Sequence, residues 1–185
     1  MSSPSTRNLP DPVVLITGHE PKAGKSITLP PKQLMWKDFN DGQMPMASVY
    51  TNLAVPDLNN DADLHYDAEH STDKVGLVTG GGCVLRYVDV APGYTTMMHR
   101  TQSLDYGILL NGQIECVFDS GEAQPLHIGQ AMIQRVTMHA WRNPSKTEWA
   151  RILFVLVDCL PLKIDGRVMG EDLGSGASYL PPSDN

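Results

Sequence analysis

The chain has few cysteines, no basic cluster and no long apolar run, and each shortage removes a class of function. Its three cysteines, Cys83, Cys116 and Cys159, are widely and unevenly spaced without a CxxC pair. An odd count in that pattern excludes a disulfide framework and fits buried free thiols in a reducing compartment. Lys and Arg number 14 against 21 Asp and Glu, for a formal charge of -7, and no run of basic residues offers a footprint for phosphates. Nucleic acid is therefore not an expected partner. The longest apolar runs, Val13 to Ile16 and Ile152 to Val157, fall far short of the roughly 20 residues of a membrane-spanning helix. The opening MSSPSTRNLPDP lacks the apolar centre of a secretory leader, so the expectation is a soluble, cytoplasmic protein that does not meet a membrane.

Nucleotide-binding signatures are missing as well. GHEPKAGKS resembles a phosphate-binding loop, but five residues, His19 to Ala23, separate Gly18 from Gly24 where the motif has four, and Pro30-Pro31 stops any helix that would follow. Gly80-Gly81-Gly82 precedes a strand pattern and no helix, which rules out a dinucleotide fingerprint. No nucleotide cofactor is expected. Asn143-Pro144-Ser145 is closed to glycosylation by its proline.

What remains is a chain of 185 residues, the size of one domain. Residues 1-12 read as a flexible arm, 13-164 as the folded domain with its densest part at 75-160, and 165-185 as a Gly/Ser/Pro-rich tail wrapping the surface. Short strands are expected at Val13 to Thr17, Ser26 to Leu29 and Ser48 to Val55, with loop over 30-47. The acidic stretch 56-74, which has no apolar periodicity, reads as a long surface loop or lid. From Val75 onward, strand patterns alternate with turn residues. Cys83 to Val90 sets Val84, Val88 and Val90 on one face, and Asn111-Gly112 suits a type I′ hairpin between Asp105–Leu110 and Gln113–Phe118. Arg151 to Val157 is an apolar strand. With no long amphipathic helix, this pattern predicts an all-β sandwich or barrel.

Two segments carry the chemistry: PGYTTMMHRTQSLDYGILLNG (Pro92 to Gly112) and IGQAMIQRVTMHAWRN (Ile128 to Asn143). A barrel that brings them together would gather His99, Asp105 and His139 into a metal site of two neutral imidazoles and a carboxylate, with coordination positions left for a ligand. Thr101 shares a strand face with His99 and faces the same cavity, where it is suited to orienting a water. Met97 and Trp141 share faces with His99 and His139 and would line a substrate pocket; core packing is the competing reading. Arg100, Arg135, Arg142 and Tyr106 fall on the opposite parity. His19, His65, His70 and His127 read as solvated loop residues, with His65 and His70 able to reach a pocket mouth. Taken singly, each motif histidine is also explained as a hydrogen-bonded residue of a β-structure, and Asp105 as a turn cap.

These segments resemble the paired motifs of the cupin superfamily. Gly93, His99, Asp105 and Gly112 fall on the first motif, with Thr101 in place of its second His and Asp105 in place of Glu. Gly129, His139 and Asn143 follow the second in order, with Arg135 in place of Pro and the turn one residue shorter. The wording MHRTQSLDYG is similar to small single-domain cupins of fungal polyketide clusters, described as cupin-domain oxidoreductases, in which Thr and Asp at these positions are normal. The resemblance implies a single cupin-type β-barrel, a double-sheet jelly roll with N-terminal strands and few or no helices, that pairs into a homodimer.

It further implies a divalent metal (Fe, Zn, Mn or Ni) on His99, Asp105 and His139, with Asp105, His139 and Thr101 as catalytic residues. The expected function is a tailoring enzyme acting on an oxygenated small molecule, by oxidation or by non-redox dehydration, cyclisation or decarboxylation. The alternative is a non-catalytic cupin that binds a small ligand or a protein partner.

Overall fold

The computed structural model describes residues 6–70, 74–174 and 183. In chain order the elements are β1 (Thr17–His19), β2 (Ser26–Thr28), β3 (Met46–Leu53), α1 (Ala62–Glu69), β4 (Gly82–Val90), β5 (Ser103–Asn111) and β6 (Ile114–Phe118). They continue with β7 (Ala123–Leu126), β8 (Ala131–Arg135), β9 (His139–Arg142), β10 (Ala150–Asp158), β11 (Lys163–Ile164) and β12 (Arg167–Val168). The fold is mostly β, as expected. An antiparallel five-stranded sheet in the order β3-β4-β10-β5-β8 lies against a three-stranded sheet, β7-β6-β9, and β1-β2 and β11-β12 form separate hairpins. Among the described residues no continuous ladder joins the two main sheets, so the arrangement is a double-sheet jelly roll, not a closed barrel. No helix among the described residues is long and apolar enough to cross a membrane.

Alternation decides which side chains enter the core. Along β4, Val84, Val88 and Val90 are buried while Cys83, Leu85 and Tyr87 are less so. The inward faces of β5 and β10 add Leu109, Ile152 and Phe154, and the smaller sheet contributes Ile114, Cys116 and Trp141 to the same cluster. The core therefore sits between the sheets, as side-chain alternation on two facing layers requires.

The structure corrects several expectations. Asn111-Gly112 makes no hairpin: β5 and β6 belong to different sheets, and of the two residues only Gly112 has positive φ, at 76°. A Cβ there would lie 2.5 Å from the Trp149 carbonyl oxygen, so the glycine lets the chain pass that backbone as it changes sheets. The stretch 56-74 is not plain loop, because it holds a 3-10 turn at Asn59–Asp61 and then α1. This helix lacks an apolar stripe because it is docked by polar groups. Asp67 is buried and accepts from the Thr51 amide at 2.9 Å and from Lys32, and Tyr50 pairs with Asp63.

The described parts of the arm and tail make defined contacts, and the rest of both, residues 1–5, 175–182 and 184–185, lies outside the described residues. Val13 to Thr17 supplies only the start of β1 plus one bridge, Val14 to Lys32. In the arm, Arg7 contacts Asp89 at 3.2 Å, and Pro10 accepts from Arg151 at 2.5 Å. Arg151 grips the fully buried Asp89 through Nε and Nη2 at 2.6 and 2.7 Å, and both arginines stack near Trp36. At the other end the tail is pinned where Arg100 and Asp172 exchange backbone hydrogen bonds of 2.7 and 2.9 Å.

Two outcomes follow. Arg151→Met strands the Asp89 carboxylate and lowers unfolding free energy by about 3–5 kcal/mol, the cost of breaking a buried pair; denaturant melts measure it, and a loss below about 1 kcal/mol would show Arg7 alone sufficient. Gly112→Ala costs clearly more than Gly121→Ala. Gly121 has φ of 88° with nothing near its Cβ position, so its replacement carries only the left-handed penalty of about 1–2 kcal/mol.

Candidate functional site

The site is built where the first histidine segment crosses β9. The segment pairs with β9 at two bridges, Thr95 with Arg142 and His99 with His139, and between them it carries one more residue than β9 does. The extra residue makes a bulge, which re-aims the side chains around it. Thr96 donates its amide to the Trp141 carbonyl at 2.9 Å and accepts from the Trp141 amide through Oγ1, also at 2.9 Å. His99 and His139 exchange backbone hydrogen bonds of 2.8 and 2.9 Å. Their rings consequently lie side by side, with centroids 4.4 Å apart. Trp141 meets His139 edge-on, and Phe154 meets Trp141 the same way.

Both imidazoles are held in one tautomer. His99 Nδ1 lies 3.0 Å from the Met97 carbonyl, and His139 Nδ1 lies 2.9 Å from that of Thr137. A carbonyl accepts only, so each Nδ1 carries the proton and each Nε2 presents a lone pair. Burial holds both rings neutral. It pulls His99 below the usual range against the opposing pull of the Met97 carbonyl and the Glu171 charge. It brings His139 down to about 3, with the neighbouring His99 adding to the effect. Two neutral, oriented imidazoles with free Nε2 atoms are the donors a divalent metal selects.

Asp105 does not complete a three-ligand set with them. Among the described residues no three His, Cys, Asp or Glu groups come together closely enough to hold a metal. The carboxylate is engaged elsewhere: Ser103 Oγ lies 2.5 Å from Oδ1, Thr101 Oγ1 lies 3.1 Å from Oδ2, and the two hydroxyl oxygens are 2.9 Å apart. Both hydroxyls donate to the carboxylate, and Ser103 is also within reach of Thr101. Burial raises the Asp105 carboxyl to about 6, opposed by the two hydroxyls and by the charge of Arg86.

His99, Thr101, Asp105, His139, Met97 and Trp141 nonetheless all line one cavity. The residues placed on the opposite parity point away: Tyr106 is exposed, and Arg142 sits in a surface pair with Glu115. His65 and His70 do not reach the cavity; His70 stacks on Tyr66 within the helical segment. The cysteines are free, and burial pushes the Cys116 thiol up to about 12, so none is an activated nucleophile.

Four further residues contribute that the motifs do not mark. Arg86 lines the cavity and is 3% exposed; its signal was present, because it shares the inward parity of Val84, Val88 and Val90. Ser103 opens β5 and bonds the Asp105 carboxyl. Leu173 covers the cavity from the tail, and Glu171 near it acts on His99; the Arg100–Asp172 bridge and the bond from Arg100 Nε to the Gly170 carbonyl hold this stretch there, and no local pattern announces it.

No family model matches the sequence. Among curated proteins, phomopsin biosynthesis cluster protein D of Diaporthe leptostromiformis is 42% identical over 73% of this chain and 71% of its own length. Oryzines biosynthesis cluster protein J of Aspergillus oryzae is 35% identical over 94% of this chain and 98% of its own. A cupin-domain-containing oxidoreductase of Neurospora crassa is 31% identical over 90% of this chain and 83% of its own. Of the solved structures, a cupin 2 conserved barrel domain protein from Salinispora arenicola is similar at TM-score 0.44 and 18% identity, over 68% of this chain and 82% of that one. With near full-length similarity to a cupin-domain oxidoreductase and to proteins of fungal biosynthesis clusters, the chain belongs to the cupin-domain family.

Proposed function

We propose that the protein is a tailoring enzyme of secondary metabolism that acts on an oxygenated small molecule in the cavity between its sheets, with a divalent metal held by His99 and His139. The observation that carries this reading is the pair of neutral imidazoles whose Nδ1 atoms are tied to backbone carbonyls while both Nε2 atoms are left for a ligand. When bound, the metal supplies a Lewis acid or redox centre that polarises a substrate oxygen. Fe, Zn, Mn and Ni all accept imidazole nitrogen, so the donors do not separate oxidation from dehydration, cyclisation or decarboxylation.

The protein's own groups divide the remaining work. Met97 and Trp141, with Phe154 behind, hold the carbon skeleton and keep water out. Asp105 holds or accepts a proton at its carboxyl oxygens, with burial bringing its affinity for that proton close to working pH. Thr101 and Ser103 fix the carboxyl in place. In this reading Asp105 is a proton carrier and not a third metal ligand.

The test separates those two roles. Protein purified without chelator carries near-stoichiometric metal by elemental analysis; His99→Ala and His139→Ala lose it, while Asp105→Asn keeps it. In a strain deleted for the gene, none of the three variants restores the product, and loss of the proton carrier lowers turnover about 100-fold or more. Sub-stoichiometric metal in the wild type, with ligand binding indifferent to both histidine variants, would leave a non-catalytic binding cupin.

The N-terminal strands support a homodimer. Val13, Leu15 and Ile27 are 72%, 66% and 41% exposed beside the short β1-β2 hairpin, a patch and an edge that a second copy would cover. Light scattering after gel filtration reads a dimer for the wild type and a monomer for the Val13→Asp, Leu15→Asp double variant; a wild-type monomer at working concentration would end this part of the reading.

A further inference from the structure

The cavity holds a cation that the fold leaves largely unsatisfied. Arg86 on β4 is 3% exposed, and among the described residues its one hydrogen bond runs from Nη2 to the Gly76 carbonyl at 2.7 Å. Its Nε is buried and finds no partner. Asp105 acts on it only through its field; among the described residues no carboxylate forms an ion pair with it. The same sheet shows what a satisfied buried arginine looks like. Arg151 on β10, 6% exposed, spends Nε and Nη2 on the two oxygens of Asp89 and Nη1 on the Pro10 carbonyl. A guanidinium has five donors in a planar fork, and desolvating its charge without a partner is expensive. Arg151 meets that demand within the chain, and Arg86 does not.

We infer that Arg86 is the anchor for a carboxylate on the substrate, and hence that the cavity takes an apolar organic acid. The lining fixes the rest of the ligand's character. Met46, Val88, Ile152 and Phe154 line the same cavity with hydrocarbon, and among the described residues only the Gly76 carbonyl takes a hydrogen bond from the fork. Low-dielectric walls strengthen a charge-assisted bond, and a planar carboxylate matches a planar fork where a single point charge does not. Arg86 and the imidazole pair line one cavity, so a bound acid has its carboxylate on β4 and its remaining oxygen functions facing the histidines. Arg86 is thus a specificity-determining residue. The inference rests on the reading of this cavity as the substrate site, but it requires no metal.

Calorimetry on the full chain tests it with hexanoate and phenylacetate as probes and hexanamide and phenylacetamide as neutral counterparts. Wild-type protein prefers each acid to its amide by roughly tenfold to a hundredfold, the worth of a hydrogen bond to a charged group. Arg86→Met abolishes the preference while amide binding persists, which also shows that the variant is folded. Arg86→Lys keeps the charge, loses the fork and retains only part of the preference. The His99→Ala, His139→Ala double variant separates this inference from the metal reading. There the preference survives if Arg86 is the anchor, whatever its metal content, and vanishes if the acids were bound to a metal. Equal affinity for acid and amide in the wild type, no saturable binding of either acid at millimolar concentration, or a preference unchanged in Arg86→Met each overturns it.

Discussion

The reciprocal backbone pairing of His99 with His139 is the contact on which the site depends. It joins the first histidine segment to β9 and thereby places two residues forty positions apart in sequence on adjacent backbone. Without that bridge nothing in the local backbone would bring the His99 segment against His139 at the start of β9. With it, the rings sit 4.4 Å between centroids and each has one nitrogen already committed to a carbonyl. The bulge before His99 matters for the same reason, since it lets Thr96, Met97 and His99 all border the cavity although strict alternation would turn one parity away.

Around this pairing the five-stranded sheet handles its buried charges in two ways. The Asp89 and Arg151 side chains complete each other, and together they collect Arg7 and Pro10 from the N-terminal arm. That cluster serves cohesion: it ties a segment of low apolar content to β4 and β10. Arg86, three residues before Asp89 on the same strand, lies on the opposite face and is left with one carbonyl and a distant carboxyl. One strand thus supplies a structural charge to one side and a ligand-seeking charge to the other, because alternation separates positions 86 and 89.

How much of this was legible in the sequence followed from the range of each signal. Alternation is local, so strands β4 and β10 and the inward set Val84, Val88 and Val90 were readable, as was the paired Gly, His and Asn pattern of the two motifs. The same rule would have revealed Arg86, had a charged residue on an apolar face been taken as information and not as an exception. Gly112 misled because Asn-Gly favours a hairpin only when both strands stay in one sheet, and the change of sheet here depends on Trp149 passing close by. The helix in the acidic stretch was hidden because Asp67, Tyr50 and Lys32 dock it through hydrogen bonds, and apolar periodicity is blind to such docking. The approach of Leu173 and Glu171 to the cavity is purely tertiary.

The departures from the general cupin motif at Thr101 and Asp105 have a common physical basis. Thr101 stands where a second imidazole is usual, and its hydroxyl is spent on Asp105, which stands where a glutamate is usual. A histidine at 101 would remove that hydroxyl from a carboxyl that is 4% exposed, and a glutamate at 105 would carry its oxygens one methylene away from Ser103 and Thr101. The two positions therefore form one unit, closed by Ser103, and reverting either alone leaves a buried polar group short of partners. The unit holds a buried carboxyl that burial raises to about 6, within the field of the Arg86 guanidinium. Under the proposed function, the imidazole pair would hold an electrophile and the Thr101–Ser103–Asp105 unit would move a proton, so the two departures from the motif would separate two tasks.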